Sequence, residues 1–147
     1  MSDTDYSSSV VACTTDVRGR FTVRGPGFEL LADGSVATGG PGRAPGPLDL
    51  LVSALTVNLI NTLRAGASPG TDPDDDLAVR VRSRTTRYDR GRVKAGRLVV
   101  EVVVDGFDEI DTAALVERYR AGCRILPAVE SLLDVDIRAV PAATMAA

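Results

Sequence analysis

Along this chain, apolar and polar positions alternate in some stretches, run together in others and recur at helical spacing elsewhere, and each change marks an element. Val10 to Thr15 is a short β-prone run, and Arg20-Phe21-Thr22-Val23-Arg24 alternates polar and apolar as a half-buried strand does. Gly25-Pro26-Gly27 supplies a turn, after which Phe28 to Ala32 reads as a third strand closed by Asp33-Gly34. Strands joined this closely predict an antiparallel meander. Gly39 to Gly46 is a stiff, irregular loop, and Pro47 stands where a helix best tolerates proline, in its first turn. From Leu48 to Arg64 the spacing is helical. Leu48, Leu51, Val52, Leu55, Leu59 and Leu63 form one broad stripe, and Leu50, Val57 and Ile60 cover most of the rest. A helix apolar on nearly all sides is expected to be buried, at the centre of a fold or at a subunit interface.

The second half repeats the logic with different elements. Ala65 to Asp76 is a polar linker ending in Asp74-Asp75-Asp76, which lacks the spacing of a calcium loop. Leu77 to Tyr88 alternates, with Leu77, Val79, Val81 and Ser83 on one side and Arg80, Arg82 and Arg84 on the other. A turn at Gly91 to Gly96 and the Val-rich run Leu98 to Val104 complete a long hairpin. Asp108 to Gly122 is an amphipathic helix with Ile110, Ala113, Ala114, Val116 and Tyr119 as packing residues. Leu126 to Leu133 is a shorter helix with Pro127 in its first turn, and Val135 to Val140 is a last strand. The order β-β-β-α-β-β-α-α-β is an α+β fold. It occupies one domain, 10–140, between a disordered tail, 1–9, and a disordered end, 141–147.

Composition narrows the chemistry. The 147 residues suit one domain, and 44% hydrophobic residues supply a core that Val, Leu, Ile and Ala must build, since Trp is absent. A net charge of −3 gives no basic footprint for nucleic acid. Neither a signal sequence nor a membrane span is legible, so no membrane partner and a cytoplasmic location are expected. There is no histidine, which excludes His-based acid–base catalysis, Ser-His-Asp and Cys-His nucleophiles and His-ligated metals. Cys13 and Cys123 are the only thiols, too few for a structural zinc site, and no cofactor is expected.

Two local signatures, in this element order, carry a resemblance. Gly39-Gly40-Pro41-Gly42-Arg43-Ala44-Pro45-Gly46-Pro47-Leu48-Asp49-Leu50-Leu51 is a Gly-rich loop running into a proline-initiated apolar helix, and Leu126-Pro127-Ala128-Val129-Glu130-Ser131-Leu132 opens a short helix before the last strand. In both, and over about Val17 to Val140, the chain resembles the OsmC/Ohr family of small dimeric thiol peroxidases. The resemblance implies an OsmC-like intertwined homodimer with its central helices buried between two sheets. Counted without a gap from Pro47, the family's first cysteine falls on Asn58, and its second, the residue before Pro127, on Leu126. Asn is not nucleophilic toward a peroxide oxygen, and Leu cannot resolve a sulfenic acid. In this register the family's reaction cannot run.

The remaining candidates each have two readings. Cys123 is either a displaced reactive thiol, with Arg120 and Arg124 nearby in sequence, or a small residue in a helix–helix corner beside Gly122. Cys13 is expected as a buried strand residue, or as a partner for Cys123. Asn58 and Asn61 lie about one helical turn apart with Thr62 alongside. Burying such amides unpaired costs roughly 1–3 kcal/mol each, so they predict either a bonded pair at a dimer interface or the polar lining of a pocket. Asp49, Ser53 and Thr56 form a second polar stripe. In the family an acidic residue near this helix start orients an arginine at the thiol. Asp49 is the approximate match, with Arg18, Arg20 and Arg43 equal as arginine partners. The Gly39–Gly46 loop lacks a following Gly-Lys-Ser/Thr and reads as a structural turn. The Arg80/Arg82/Arg84 row, continued by Arg87, Arg90 and Arg92, is the solvated side of a hairpin or the seat of an anionic ligand or partner. The function expected is that of a non-catalytic binder of a small hydrophobic molecule, or a pseudoenzyme linked to stress response. The alternatives are an organic hydroperoxide reductase using Cys123 and a purely structural or partner-binding protein.

Overall fold

The computed structural model describes residues 8–65 and 77–146. The first seven residues of the expected tail, and the linker read from Ala65 to Asp76 beyond Ala65 itself, lie outside them. The described residues fall into two compact units divided after Leu51. In the first, β1 (Val11–Thr14), β2 (Arg20–Gly25) and β3 (Phe28–Asp33) form the antiparallel meander that their alternation predicts, in the order β1-β2-β3. The loop that follows depends on glycine. A Cβ on Gly40 would strike the carbonyl oxygen of Gly34. One on Gly19, whose φ is 74°, would lie 2.7 Å from the Gly40 Cα. Only residues without a side chain allow these backbones to pass so closely. The loop delivers the chain to α1 (Pro47–Ala65), whose first turn belongs to this unit.

The second unit holds the rest of α1, then β4 (Val79–Arg87), β5 (Gly96–Val104), α2 (Glu109–Gly122), α3 (Leu126–Leu132) and β6 (Leu133–Ala139). The sheet order is β4-β5-β6. The hairpin β4–β5 is antiparallel, while β5–β6 is parallel because α2 and α3 carry the chain back before β6 begins. Leu98, Val100, Val102 and Val104 of β5 point into the core with Leu55, Leu59 and Leu63 of α1, Leu115, Val116 and Tyr119 of α2, and Leu126 and Val129 of α3. Each buried aliphatic side chain contributes about 1.5–3 kcal/mol relative to exposure.

Two details, in α2 and at the C-terminal end, differ from the sequence expectations. The buried face of α2 is Thr112, Leu115, Val116 and Tyr119, a run at helical spacing. That phase turns Ile110, Ala113 and Ala114 outward, and Ile110 is 79% exposed. Within one chain α1 buries a single stripe and leaves Val57 65% exposed and Asn61 exposed. At the C-terminal end, Ala142–Met145 forms a 3-10 helix where a disordered end was expected, and the Thr144 carbonyl accepts a hydrogen bond from Arg82 at 3.0 Å. No helix among the described residues is long and apolar enough to cross a membrane.

Candidate functional site

Three helices of the second unit, α1, α2 and α3, meet around one amide. Asn58 sits midway along α1, and its Oδ1 accepts hydrogen bonds from the Tyr119 hydroxyl at 3.2 Å and from the Cys123 thiol at 3.1 Å. Cys123 follows the last residue of α2, and its own N–H donates to the Tyr119 carbonyl to close that helix. Its sulfur also accepts from the Leu126 N–H at 3.3 Å, the first donor of α3, which has no side-chain cap of its own. The thiol therefore joins three helices at one corner. Burial first, and then the adjacent Cys123, hold the Tyr119 hydroxyl above the ordinary phenol range, which keeps it a proton donor to Asn58.

The structure thus brings Asn58, Cys123 and Leu126 together and adds Tyr119, which the sequence marked only as a packing residue. Leu126 is buried, and Pro127 is exposed in the first turn of α3. Asn61 is not part of the cluster, because it faces solvent one turn along α1. Within one chain Asn61 is exposed, and no buried side-chain nitrogen or oxygen among the described residues lacks a partner. Thr62 donates to the Asn58 carbonyl at 2.8 Å, and Thr56 shares a 2.7 Å hydrogen bond with Ser83 of β4. The charge expected beside the thiol is engaged elsewhere: the Arg120 guanidinium lies 3.7 Å from Glu117 and 3.5 Å from Glu130. Arg124 is exposed.

In the first unit the expected arginine partner is found, but with a different acid. Asp49 accepts from the Gly46 N–H at 2.9 Å, so this third helical residue caps the start of α1 and holds no arginine. Arg20 pairs bidentately with Asp33, Nε to Oδ1 at 2.9 Å and Nη2 to Oδ2 at 3.1 Å. Asp33 is 1% exposed and also accepts the backbone N–H groups of Arg43 and Ala44, both at 2.8 Å. The Arg20 hydrogen bonds, followed by those backbone donors, hold its carboxyl well below the usual carboxylate range. Asp33 therefore ties β2, β3 and the Gly-rich loop together. Arg43 contributes its backbone while its side chain is exposed, and Arg18 lies beside Gly39. Cys13, expected to be buried, is exposed because β1 is an edge strand with every residue open to solvent. Both thiols are free.

Asp33 and Glu101 were not legible as key groups. A lone Glu inside the apolar run Leu98–Val104 was the available signal for Glu101. Asp33 had only its place at the end of a strand.

Solved structures resemble this chain over nearly its full length. An organic hydroperoxide resistance protein OsmC from Legionella pneumophila matches 92% of this chain and 98% of its own at 20% identity, with a TM-score of 0.69. A putative osmotic stress induced and detoxification response protein from Psychrobacter arcticus matches 92% and 96% at 16% identity, TM-score 0.71. The organic hydroperoxide resistance protein OhrB of Bacillus subtilis matches 92% and 98% at 12% identity, TM-score 0.66. No protein-family model and no curated protein matches the chain. The chain has the OsmC/Ohr fold.

Proposed function

We propose that this OsmC-fold chain does not run a two-thiol hydroperoxide cycle and acts as a homodimeric, non-catalytic binder of a small hydrophobic molecule in stress response. The single observation that carries the reading is the closed cluster at Asn58, where an amide takes hydrogen bonds from Tyr119 and Cys123. In a two-thiol cycle a thiolate attacks a peroxide oxygen and the O–O bond breaks to release the alcohol, and the sulfenic acid so formed condenses with a second thiol to a disulfide as water leaves. Asn58 has no sulfur for the first step, and buried Leu126 has none for the second. The stress-response setting is carried over from the proteins of the same fold, named for hydroperoxide resistance and detoxification. The chemistry is not carried over with it.

The dimer is supported by the side of α1 that one chain leaves open, with Val57 65% exposed and Ile60 half-buried. Sedimentation analysis is expected to find a dimer, and Val57→Glu to shift it to monomer by placing an unpaired charge in an apolar contact. A monomeric wild type contradicts this part of the reading.

One observation favours a second reading, a single-thiol hydroperoxide reductase. The Cys123 sulfur stands 3.1 Å from the amide at the first-cysteine position, so a thiol is offered there from another helix. Mass spectrometry after one equivalent of tert-butyl hydroperoxide separates the two. The non-catalytic reading expects the Cys123 peptide to stay reduced, and rapid stoichiometric sulfenic acid at Cys123 would establish the second.

A further inference from the structure

The second unit carries a charge arrangement that the thiol corner does not use. On the sheet face opposite Leu98, Val100 and Val102, the register sets Arg82 of β4 against Glu101 of β5, and Glu101 against Arg138 of β6. Glu101 is 3% exposed. Its Oε2 accepts from Arg82 Nε at 2.9 Å and from Arg84 Nη2 at 3.0 Å, and its Oε1 from Arg138 Nη2 at 3.0 Å. Arg82 and then Arg138 hold the carboxyl below its ordinary range, so it is an anion at neutral pH. Three guanidinium cations therefore share one carboxylate.

Among the described residues, the other acids on this face have their own partners. Asp105 pairs with Arg80 at 3.1 Å, Asp136 with Arg97 at 3.4 Å, and Asp134 accepts from the Tyr88 hydroxyl at 2.9 Å. Among the described residues, two positive charges remain uncompensated within the cluster, on a chain whose net charge is −3. Both oxygens of Glu101 are occupied, and the Arg84 and Arg138 side chains are 61% and 53% exposed. Each of these two bonds Glu101 through Nη2, from opposite neighbouring strands, and the exposed remainder of each guanidinium fork meets solvent. Arg82 is fixed between them by Glu101 and the Thr144 carbonyl. A planar guanidinium presents several N–H donors in a geometry that matches phosphate oxygens.

We propose that this face is a binding site for a small phosphate-class oxyanion, bridged between Arg84 and Arg138 over the buried Glu101. Glu101 sets the spacing of the two forks, and the ligand supplies the negative charge that the cluster lacks. The site is independent of the thiol corner and of the ligand assigned to it.

Isothermal titration of the full chain with pyrophosphate at low salt tests this. One saturable site is expected, weakening as sodium chloride is raised. Arg84→Gln and Arg138→Gln should each lower the affinity about tenfold, the scale of one charge-assisted contact. Arg24→Gln, which alters an exposed pair with Glu29 in the first unit, should leave it unchanged. In the unmodified protein the guanidinium NMR signals of Arg84 and Arg138 should move with pyrophosphate, a readout free of any folding defect in the variants. Absence of saturable binding at millimolar pyrophosphate overturns the proposal, as does an affinity indifferent to both substitutions. Binding of a single-stranded oligonucleotide without any response to pyrophosphate also overturns it.

Discussion

Replacing Tyr119 by alanine lowers stability by about 3–5 kcal/mol, whereas Tyr119→Phe costs only about 1 kcal/mol. The difference follows from what each change removes. Tyr119 is 1% exposed, and its ring lies in the core that holds Leu55, Leu59, Leu98 and Val116, so truncation to alanine leaves a cavity that the surrounding helices fill only in part. Phenylalanine keeps the packing and removes one hydrogen bond to Asn58, whose Oδ1 still accepts from Cys123. Urea unfolding of the three proteins measures both values. A phenylalanine variant as unstable as the alanine one would mean that the polar cluster, and not the packing, holds this corner.

The second large effect belongs to Asp33. Its folded pKa is depressed, chiefly by the Arg20 hydrogen bonds, while in the unfolded chain it lies near the ordinary value of about 3.9. A depressed carboxylate contributes fully above the unfolded value, and that contribution is lost as pH falls through the interval down to the folded one. The wild type should therefore lose stability below about pH 4. Asp33→Asn should be less stable at neutral pH, because Arg20 loses its counter-charge, and should show a flatter acid limb. Glu101 is shifted in the same direction and contributes to that limb in both proteins. Urea unfolding across this pH range measures the slope. The exchange of the Arg43 and Ala44 amides, which donate to Asp33, localises the loss to the loop. An unchanged acid limb in the variant would remove Asp33 from the account.

These two residues show what could and could not be read from the chain. Element order was legible because alternation and helical spacing are local, and so was the unbroken helix from Pro47 that carries Asn58. The role of Asp33 was not, because it depends on strand register: Arg20 is thirteen residues away and becomes its neighbour only when β2 pairs with β3. The Asn58–Cys123 contact spans 65 positions and has no local signature. Ile110 and Cys13 show the opposite failure. Apolar character placed both inside, while the phase of α2 and the edge position of β1 put them outside. The Arg row was legible as a pattern, but its meaning changed once Glu101 proved to lie beneath it.

Whether a hydroperoxide cycle runs at the Asn58 corner is decided by turnover. Consumption of tert-butyl hydroperoxide and of a lipid hydroperoxide is measured with a dithiol reductant for the wild type and Cys123→Ser. No turnover above the reductant alone is expected in either protein. Catalytic consumption by the wild type that disappears in Cys123→Ser would contradict it and place the chemistry on the Cys123 thiol.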